Sequence, residues 1–191
     1  MPYSLLVDSI RKVVRFVAIA NLSYFFVEFF FAQKIGSVSL FADSIDFLED
    51  ASVNILIFMA IGWSLAARAR LSKFLALLLL VPAISVILST IHKVNNPSVP
   101  DAISLTSVAL GALIVNSVCA LLLVKFRGAK QSLVLAAYLS ARNDALANIA
   151  IIIAGVITMF WVSAIPDLLV GVSIGALNAD AAYKVWKSTE H

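Results

Sequence analysis

Four carboxylates stand within eight residues of a strongly apolar stretch of the chain. Burying a carboxylate away from water costs several kcal/mol unless it is paired or binds a cation, so acids in such stretches usually have a function. At about 100° per residue of helix, Asp43, Asp46 and Asp50 fall on one face. Asn54 continues that face by one more turn, whereas Glu49 lies roughly 100° away. The spacing therefore predicts a cation-binding face.

A second polar group lies about ninety residues further along the chain. Ser140 and Asp144 are four residues apart and share a helical face. Asn143 lies beside them and Asn148 one turn beyond, whereas Arg142 points roughly away. Two helices that carry Asp-x-x-x-Asp and Ser-x-x-x-Asp at one depth would offer four oxygen ligands to one cation.

Several other polar residues have two possible roles. Asp43 either caps its helix near the outer interface or takes a direct part in the site. Asn21, Asn143 and Asn148 either support the site or form interhelical hydrogen bonds, a common use of amides in membranes. Cys119 is interpreted as a residue that packs in the interior rather than as a metal ligand.

Two charged residues complete the set of candidates. Glu28 shares a face with Asn21 but lies toward the end of its apolar run, where we expect water to reach it. Arg142 is expected to act as an internal counter-ion, with Glu49 as its partner, because both lie off the faces that carry the other polar groups.

The composition determines the class of protein. The chain has 191 residues, of which 62% are hydrophobic and 13% charged, and its mean hydropathy is +1.01. Charged residues alone make up about 25% of ordinary soluble domains. The sequence therefore predicts an all-α, polytopic membrane protein and excludes a sizeable soluble domain. The net charge of +3 gives no indication of nucleic-acid binding.

A membrane-spanning helix needs about 20 mostly apolar residues. Six such segments make one six-helix transmembrane domain over residues 1–191. The predicted spans cover residues 13–31, 38–66, 74–91, 103–124, 132–160 and 168–185. Pro166 and Asp167 stand before the sixth span, where a helix start favours both residue types.

Basic residues predict the orientation, because loops on the cytoplasmic side carry an excess of Lys and Arg. One side would hold 11 of them and the other only Lys34 and Lys93, with Arg142 inside the fifth span. We therefore expect a cell-membrane protein with both termini in the cytoplasm. The residues on the richer side are Arg11, Lys12, Arg15, Arg68, Arg70, Lys73, Lys125, Arg127, Lys130, Lys184 and Lys187.

The two polar groups are predicted to lie at the same depth in the membrane. At 1.5 Å per residue, Asp46 and Asp50 lie about 12–18 Å from the outer end of the second span. Asp144 lies about 18 Å from the inner end of the fifth span, so all three fall near the bilayer midplane. The predicted metal site is therefore Asp46, Asp50, Ser140 and Asp144.

These motifs resemble the cation diffusion facilitator family. The resemblance lies in Asn21, in the segment Gly-Ser-Val-Ser-Leu-Phe-Ala-Asp at residues 36–43 with the Asp-x-x-x-Asp pair that follows, and in Leu-Ser-Ala-Arg-Asn-Asp-Ala at residues 139–145. It covers nearly the whole chain. It implies a six-helix carrier that exports divalent cations by alternating access in exchange for protons, works without a prosthetic group and is commonly a homodimer.

The chain departs from the family pattern in two places. Ser140 stands where the family usually has His, and Asp46 replaces another common His, so the predicted ligands are all oxygens. Oxygen ligands suit Mn²⁺ or Mg²⁺, whereas imidazole suits Zn²⁺; Zn²⁺, Mn²⁺, Fe²⁺, Co²⁺ and Mg²⁺ all stay open as substrates. The sequence ends soon after the sixth span, so we expect no cytoplasmic metal-sensing domain, and a dimer would form through membrane helices.

Two other classes of function also place acids within a membrane. A membrane scaffold or regulatory protein could keep the same acids without transporting anything, and the substitution by Ser140 keeps this alternative open. An intramembrane enzyme is disfavoured: the Asp-Gly-x-x-Ala-Arg motif of phosphatidyl transferases is absent from residues 43–50, and the Gly-x-Gly-Asp motif of aspartyl proteases does not precede Asp144.

Overall fold

The structure is a computed structural model that describes residues 3–60, 86–126 and 132–188. All regular secondary structure in these ranges is helical. The third predicted span (74–91) and the end of the second (61–66) fall largely outside the described residues, as do Arg68, Arg70, Lys73, Arg127 and Lys130. The six described helices are α1 (Tyr3–Ile35), α2 (Val38–Ala60), α3 (residues 86–95), α4 (Ala102–Leu123, continued by a 3₁₀ turn at Val124–Phe126), α5 (Ser132–Phe160) and α6 (Ile165–Ser188).

The first two helices are joined by a two-residue turn. Gly36 ends α1 with a positive φ of 64°, a conformation that glycine adopts without steric cost. The amide of Ser37 then bonds back to the carbonyl of Ala32 at 3.0 Å. Because the connection is so short, α1 and α2 must run antiparallel as neighbours.

Three of the described helices are long and apolar enough to cross a membrane. They contain the segments Asp8–Ile35, Ala102–Phe126 and Ala137–Phe160, and α6 adds a shorter apolar stretch, Ile165–Asn178. The four acids of α2 lower its hydropathy, although it lies beside these helices. Many large apolar side chains on the outer faces are exposed, among them Phe26, Ile103 and Leu121, as expected of helices that face lipid.

The interior has an apolar cluster toward each end of the bundle. The first includes Leu40, Leu105 and Ile151. The second includes Val14 and Leu123. In α1, α2, α4 and α5, buried polar residues lie along the helix between these two clusters, so the bundle encloses a polar layer between two apolar ones. These residues are Asn21, Asp46, Asp50, Asn116 and Asn148.

Two helices approach each other closely where α6 meets the start of α2. A Cβ built on Gly171 would lie 2.8 Å from the backbone nitrogen of Ser39 and from the carbonyl carbon of Val38. Only a residue without a side chain fits there. Gly171 therefore lets the second turn of α6 come into contact with the first turn of α2.

Candidate functional site

The polar layer contains an unusual concentration of buried acids. The side chains of Glu28 and Asp43 are fully buried, and those of Asp46 and Asp50 are 8% and 3% exposed. Together with Asp144 they bring five carboxyl groups from α1, α2 and α5 close enough to interact electrostatically. Such repulsion must be offset by protons or by a cation.

Asp50 connects α2 with α5, the two helices whose acids the sequence predicts to lie at one depth. Its carboxyl group lies within hydrogen-bond reach of the side chains of Ser140 and Asp144 on α5. From α1, Asn21 Nδ2 donates a hydrogen bond to Asp50 Oδ2 at 3.5 Å. The oxygen of Asn21 in turn accepts from the Cys119 thiol at 3.8 Å. Three of the four predicted ligands are therefore neighbours across the α2–α5 interface.

Asp46, the fourth predicted ligand, has a different partner. Asn178 of α6 donates a hydrogen bond from Nδ2 to Asp46 Oδ1. Within the described ranges, no group of three or more His, Cys, Asp or Glu side chains has the geometry of a metal site. In this conformation Asp50, Ser140 and Asp144 thus form a trio. The fourth predicted ligand, Asp46, is paired with Asn178 instead.

Asp43 lies one helical turn from Asp46 and begins a separate polar chain. Asn148 on α5 donates from Nδ2 to Asp43 Oδ2, and Asn116 on α4 donates to Asn148 Oδ1 at 3.1 Å. Asp43 is therefore not a helix cap at the interface. Asn148 forms the kind of interhelical hydrogen bond expected of a membrane amide.

Glu28 lies in the interior of the bundle, although the sequence predicts that water reaches it. Its side chain is fully buried and lies within hydrogen-bond reach of the carboxyl group of Asp43. The physical reason is length: α1 continues to Ile35, so Glu28 lies almost two turns before the end of its helix.

Four other predicted polar residues make no hydrogen bond to the side chains of this trio: Asn54, Glu49, Arg142 and Asn143. Asn54 bonds to the carbonyl of Asp50 one turn back in its own helix, at 2.8 Å. Glu49 and Arg142 are both exposed, and the guanidinium donates to Asn143 Oδ1 at 3.2 Å. The predicted ion pair between Arg142 and Glu49 is therefore not formed, because Arg142 projects from the outer face of α5 and reaches only its own neighbour.

Sequence reasoning missed the contributions of Asn178 and Asn116. Each is an amide in an otherwise apolar helix, which was the available signal. Asn178 also stands in a span whose polar residues were not placed on a face, so its pairing with Asp46 was not anticipated. Both residues lie in helices that pack against the acids.

Asp167 forms a second buried cluster at the start of α2. Its carboxylate accepts hydrogen bonds from the hydroxyls of Ser37 and Ser39, both at 2.6 Å, and from the amides of Val38 at 2.9 Å and Ser39 at 3.1 Å. The residue predicted to favour the start of its own helix therefore caps the start of α2, a position where the helix dipole favours an anion.

Lys93, which lies in α3 just beyond the predicted third span, completes this cluster. Its Nζ lies 3.6 Å from Asp167 Oδ2 and donates to the carbonyl of Gly36. Burial lowers the pKa of Lys93, while the negative charge of Asp167 opposes that shift. The cluster joins the ends of α1, α2, α3 and α6 at one end of the bundle.

Comparisons with known proteins give one finding. Residues 14–189 match the cation efflux transmembrane domain, which spans nearly the whole chain and contains every residue of the polar layer. A search of curated proteins finds no match to the chain.

Proposed function

Because the chain belongs to the cation efflux family and is an all-α, multi-pass membrane protein, as its sequence predicts, we propose that it exports a divalent metal cation in exchange for protons. Members of this family are cation transporters rather than enzymes. Three points go beyond family membership and are proposed for this chain: the divalent charge of the substrate, the proton as the coupling ion, and the residues that bind the cation.

The contact of Asp50 with Ser140 and Asp144 carries the proposal. Two carboxyl groups on separate helices contact each other in a layer that apolar clusters separate from both ends of the bundle. A divalent cation would offset their repulsion, and so would protons, which makes the two occupants mutually exclusive. Exchange of one for the other is the chemistry of a proton-coupled carrier.

Asp46 is proposed as the fourth ligand after a change of partner. Its Oδ1 is engaged by Asn178, and release of that amide would free the oxygen to join the others. The completed set of three carboxylates and one hydroxyl contains only oxygen ligands. Such a site favours Mn²⁺ or Mg²⁺ over Zn²⁺.

The proposed orientation places both termini in the cytoplasm, in agreement with the Lys and Arg bias of the loops. The Asp167 cluster then lies at the outer end of the bundle. A homodimer, as is common in the family, would form through the exposed apolar faces of the membrane helices.

The function is tested by transport assays in proteoliposomes that contain a fluorescent reporter of Mn²⁺ and a separate reporter of pH. We expect Asp50→Ala and Asp144→Ala to abolish Mn²⁺ flux and the accompanying proton flux. Asn143→Ala alters an exposed neighbour outside the trio and should transport as the wild type does. If both aspartate variants transport every tested cation at the wild-type rate, the proposal is wrong.

A second candidate function is a regulatory or scaffolding role without transport. The hydrogen bond between Asn178 and Asp46 favours it, because it occupies one of the four predicted ligands with a protein partner. Such a protein would show no cation-dependent increase in thermal stability and no flux. A carrier should show a cation-dependent increase in thermal stability and a cation flux.

A further inference from the structure

Glu28 and Asp43 form a pair of acids that the site around Asp50 does not use. Both side chains are fully buried, and their carboxyl groups lie within hydrogen-bond reach of each other. Their separation from the Asp50 site follows from helix geometry. Asp43 precedes Asp50 by seven residues, or about 10 Å along the helix axis.

Among the described residues, three oxygens of this pair have no hydrogen-bond donor. They are Oε1 and Oε2 of Glu28 and Oδ1 of Asp43. Asp43 Oδ2 is already engaged by Asn148. Buried polar atoms without a partner are rare in native proteins, and each one calls for an explanation such as an ion.

The neighbouring polar groups do not supply the missing donors. The hydroxyl of Tyr24, one turn before Glu28, donates instead to the carbonyl of Val108 at 2.7 Å. Asn116 holds the oxygen of Asn148 at 3.1 Å, and this bond fixes the amide with its nitrogen toward Asp43. Among the described residues, the groups around the pair are thus uncharged, so they would not offset a negative charge on it.

A single shared proton does not satisfy the three oxygens. A proton between the two carboxyl groups engages one oxygen of each and leaves the second oxygen of Glu28 without a partner. A hard cation can take a carboxylate in a bidentate manner and accept further oxygen ligands, so it satisfies all three at once. The number of unpartnered atoms therefore favours a metal cation over a proton.

We propose that Glu28 and Asp43 hold a second divalent cation, about one to two helical turns from the site around Asp50 and on the side of the Asp167 cluster. The inference rests on the proposed function for the identity of the cation. The two sites would lie in sequence along α2, so an ion leaving Asp46 and Asp50 would meet Asp43 next on its way to that end of the bundle.

The test is the number of Mn²⁺ ions that the purified full chain binds at saturation, measured by equilibrium dialysis and by calorimetry. We expect two per chain for the wild type and one for Glu28→Gln and for Asp43→Asn. Asp101→Asn, which neutralises an exposed acid outside the polar layer, should still bind two. Glu28→Asp shortens the side chain by one methylene and should weaken one site while leaving the other unchanged. It tests the proposal even if the neutral variants fail to fold.

Three results would overturn the inference. One is a wild type that binds a single Mn²⁺ that Glu28→Gln retains, which would assign a proton to the pair. Another is a Glu28→Gln variant that retains both ions. The third is a single wild-type ion that Glu28→Gln removes, which would place Glu28 in the site of Asp50.

Failure of the proposed function gives a different pattern. If Asp50→Ala keeps both ions, the Asp50 site is wrong. The second site still stands in that case if Glu28→Gln loses one.

Discussion

Asn178 donates a hydrogen bond to Asp46 and so connects α6 to the acidic face of α2 within the polar layer. The amide occupies an oxygen that the proposed cation needs. A carboxylate held by a donor is a poorer ligand until that donor leaves. In the proposed site, Asn178 would thus set how readily Asp46 becomes available as the fourth ligand.

Replacement of Asn178 by Ala should therefore strengthen cation binding. A hydrogen bond to a charged group contributes about 1.5–3 kcal/mol, so removal of this competitor should raise the Mn²⁺ affinity by roughly ten- to a hundredfold. Calorimetry on the purified protein measures the change, with Asn143→Ala as the matched control. A weaker affinity in Asn178→Ala would instead show that the amide orients Asp46 for binding.

Ser140 should determine the preference between Mn²⁺ and Zn²⁺. It lies beside Asp50, where Ser140→His would add an imidazole ligand that suits Zn²⁺. We expect the ratio of Zn²⁺ to Mn²⁺ affinity to rise by at least about tenfold, which corresponds to about 1.4 kcal/mol. Ser140→Ala removes the hydroxyl without adding a nitrogen and should not gain Zn²⁺ affinity. An unchanged ratio in Ser140→His would place residue 140 outside the site.

Gly171 should tolerate no side chain, whereas Gly175 should tolerate one. A Cβ at Gly171 meets the backbone of α2 at 2.8 Å, whereas at Gly175 the contact found among the described residues is with Val86 Cγ1 at 3.6 Å. Gly171→Ala should lower the free energy of unfolding by about 1–3 kcal/mol. Gly175→Ala should be neutral or stabilise by up to about 1 kcal/mol, because alanine is the better helix former. Thermal unfolding in detergent compares the two, and equal effects would contradict the described contact between α2 and α6.

Asp101 should make the stability of α4 depend on pH in the acid range. Its side chain accepts from the amide of Ser104 at 2.8 Å. The side chain of Ser104, followed by this backbone amide, holds the pKa of Asp101 below its ordinary value of 3.8. Because the pKa in the folded protein is depressed, the stabilisation is complete above 3.8 and disappears as the pH falls through the folded pKa.

The measurement is the difference in melting temperature between the wild type and Asp101→Asn, which keeps an acceptor at the cap but does not titrate. This difference should be constant above the ordinary pKa and shift against the wild type below it. A difference that does not change with pH would show that Asp101 makes no such contribution.

Helical phase and depth predicted the neighbours of Asp50 from the sequence. Ser140 and Asp144 were assigned to one face of α5 and to the level of Asp50, and the structure places all three in contact. Both arguments use only the regular geometry of a helix, which a long apolar segment fixes well.

Contacts that depend on how helices pack were not predictable in this way. Whether Asn178 faces Asp46 depends on the approach of α6 to α2, which the close contact at Gly171 permits. Asp167 likewise caps a neighbouring helix rather than its own for the same reason. The burial of Glu28 was missed because the apolar run ends at residue 31 whereas α1 continues to Ile35.

The short turn at Gly36 has a mechanical consequence. It connects α1 to α2, and Asp167 fastens α6 to the same point, while α4 and α5 pack along each other as the other main pair. Asp50 belongs to the first group and Asp144 to the second. A cation held between them would act as a removable cross-link, so that loading stiffens the interface between two groups of helices and unloading lets them shift.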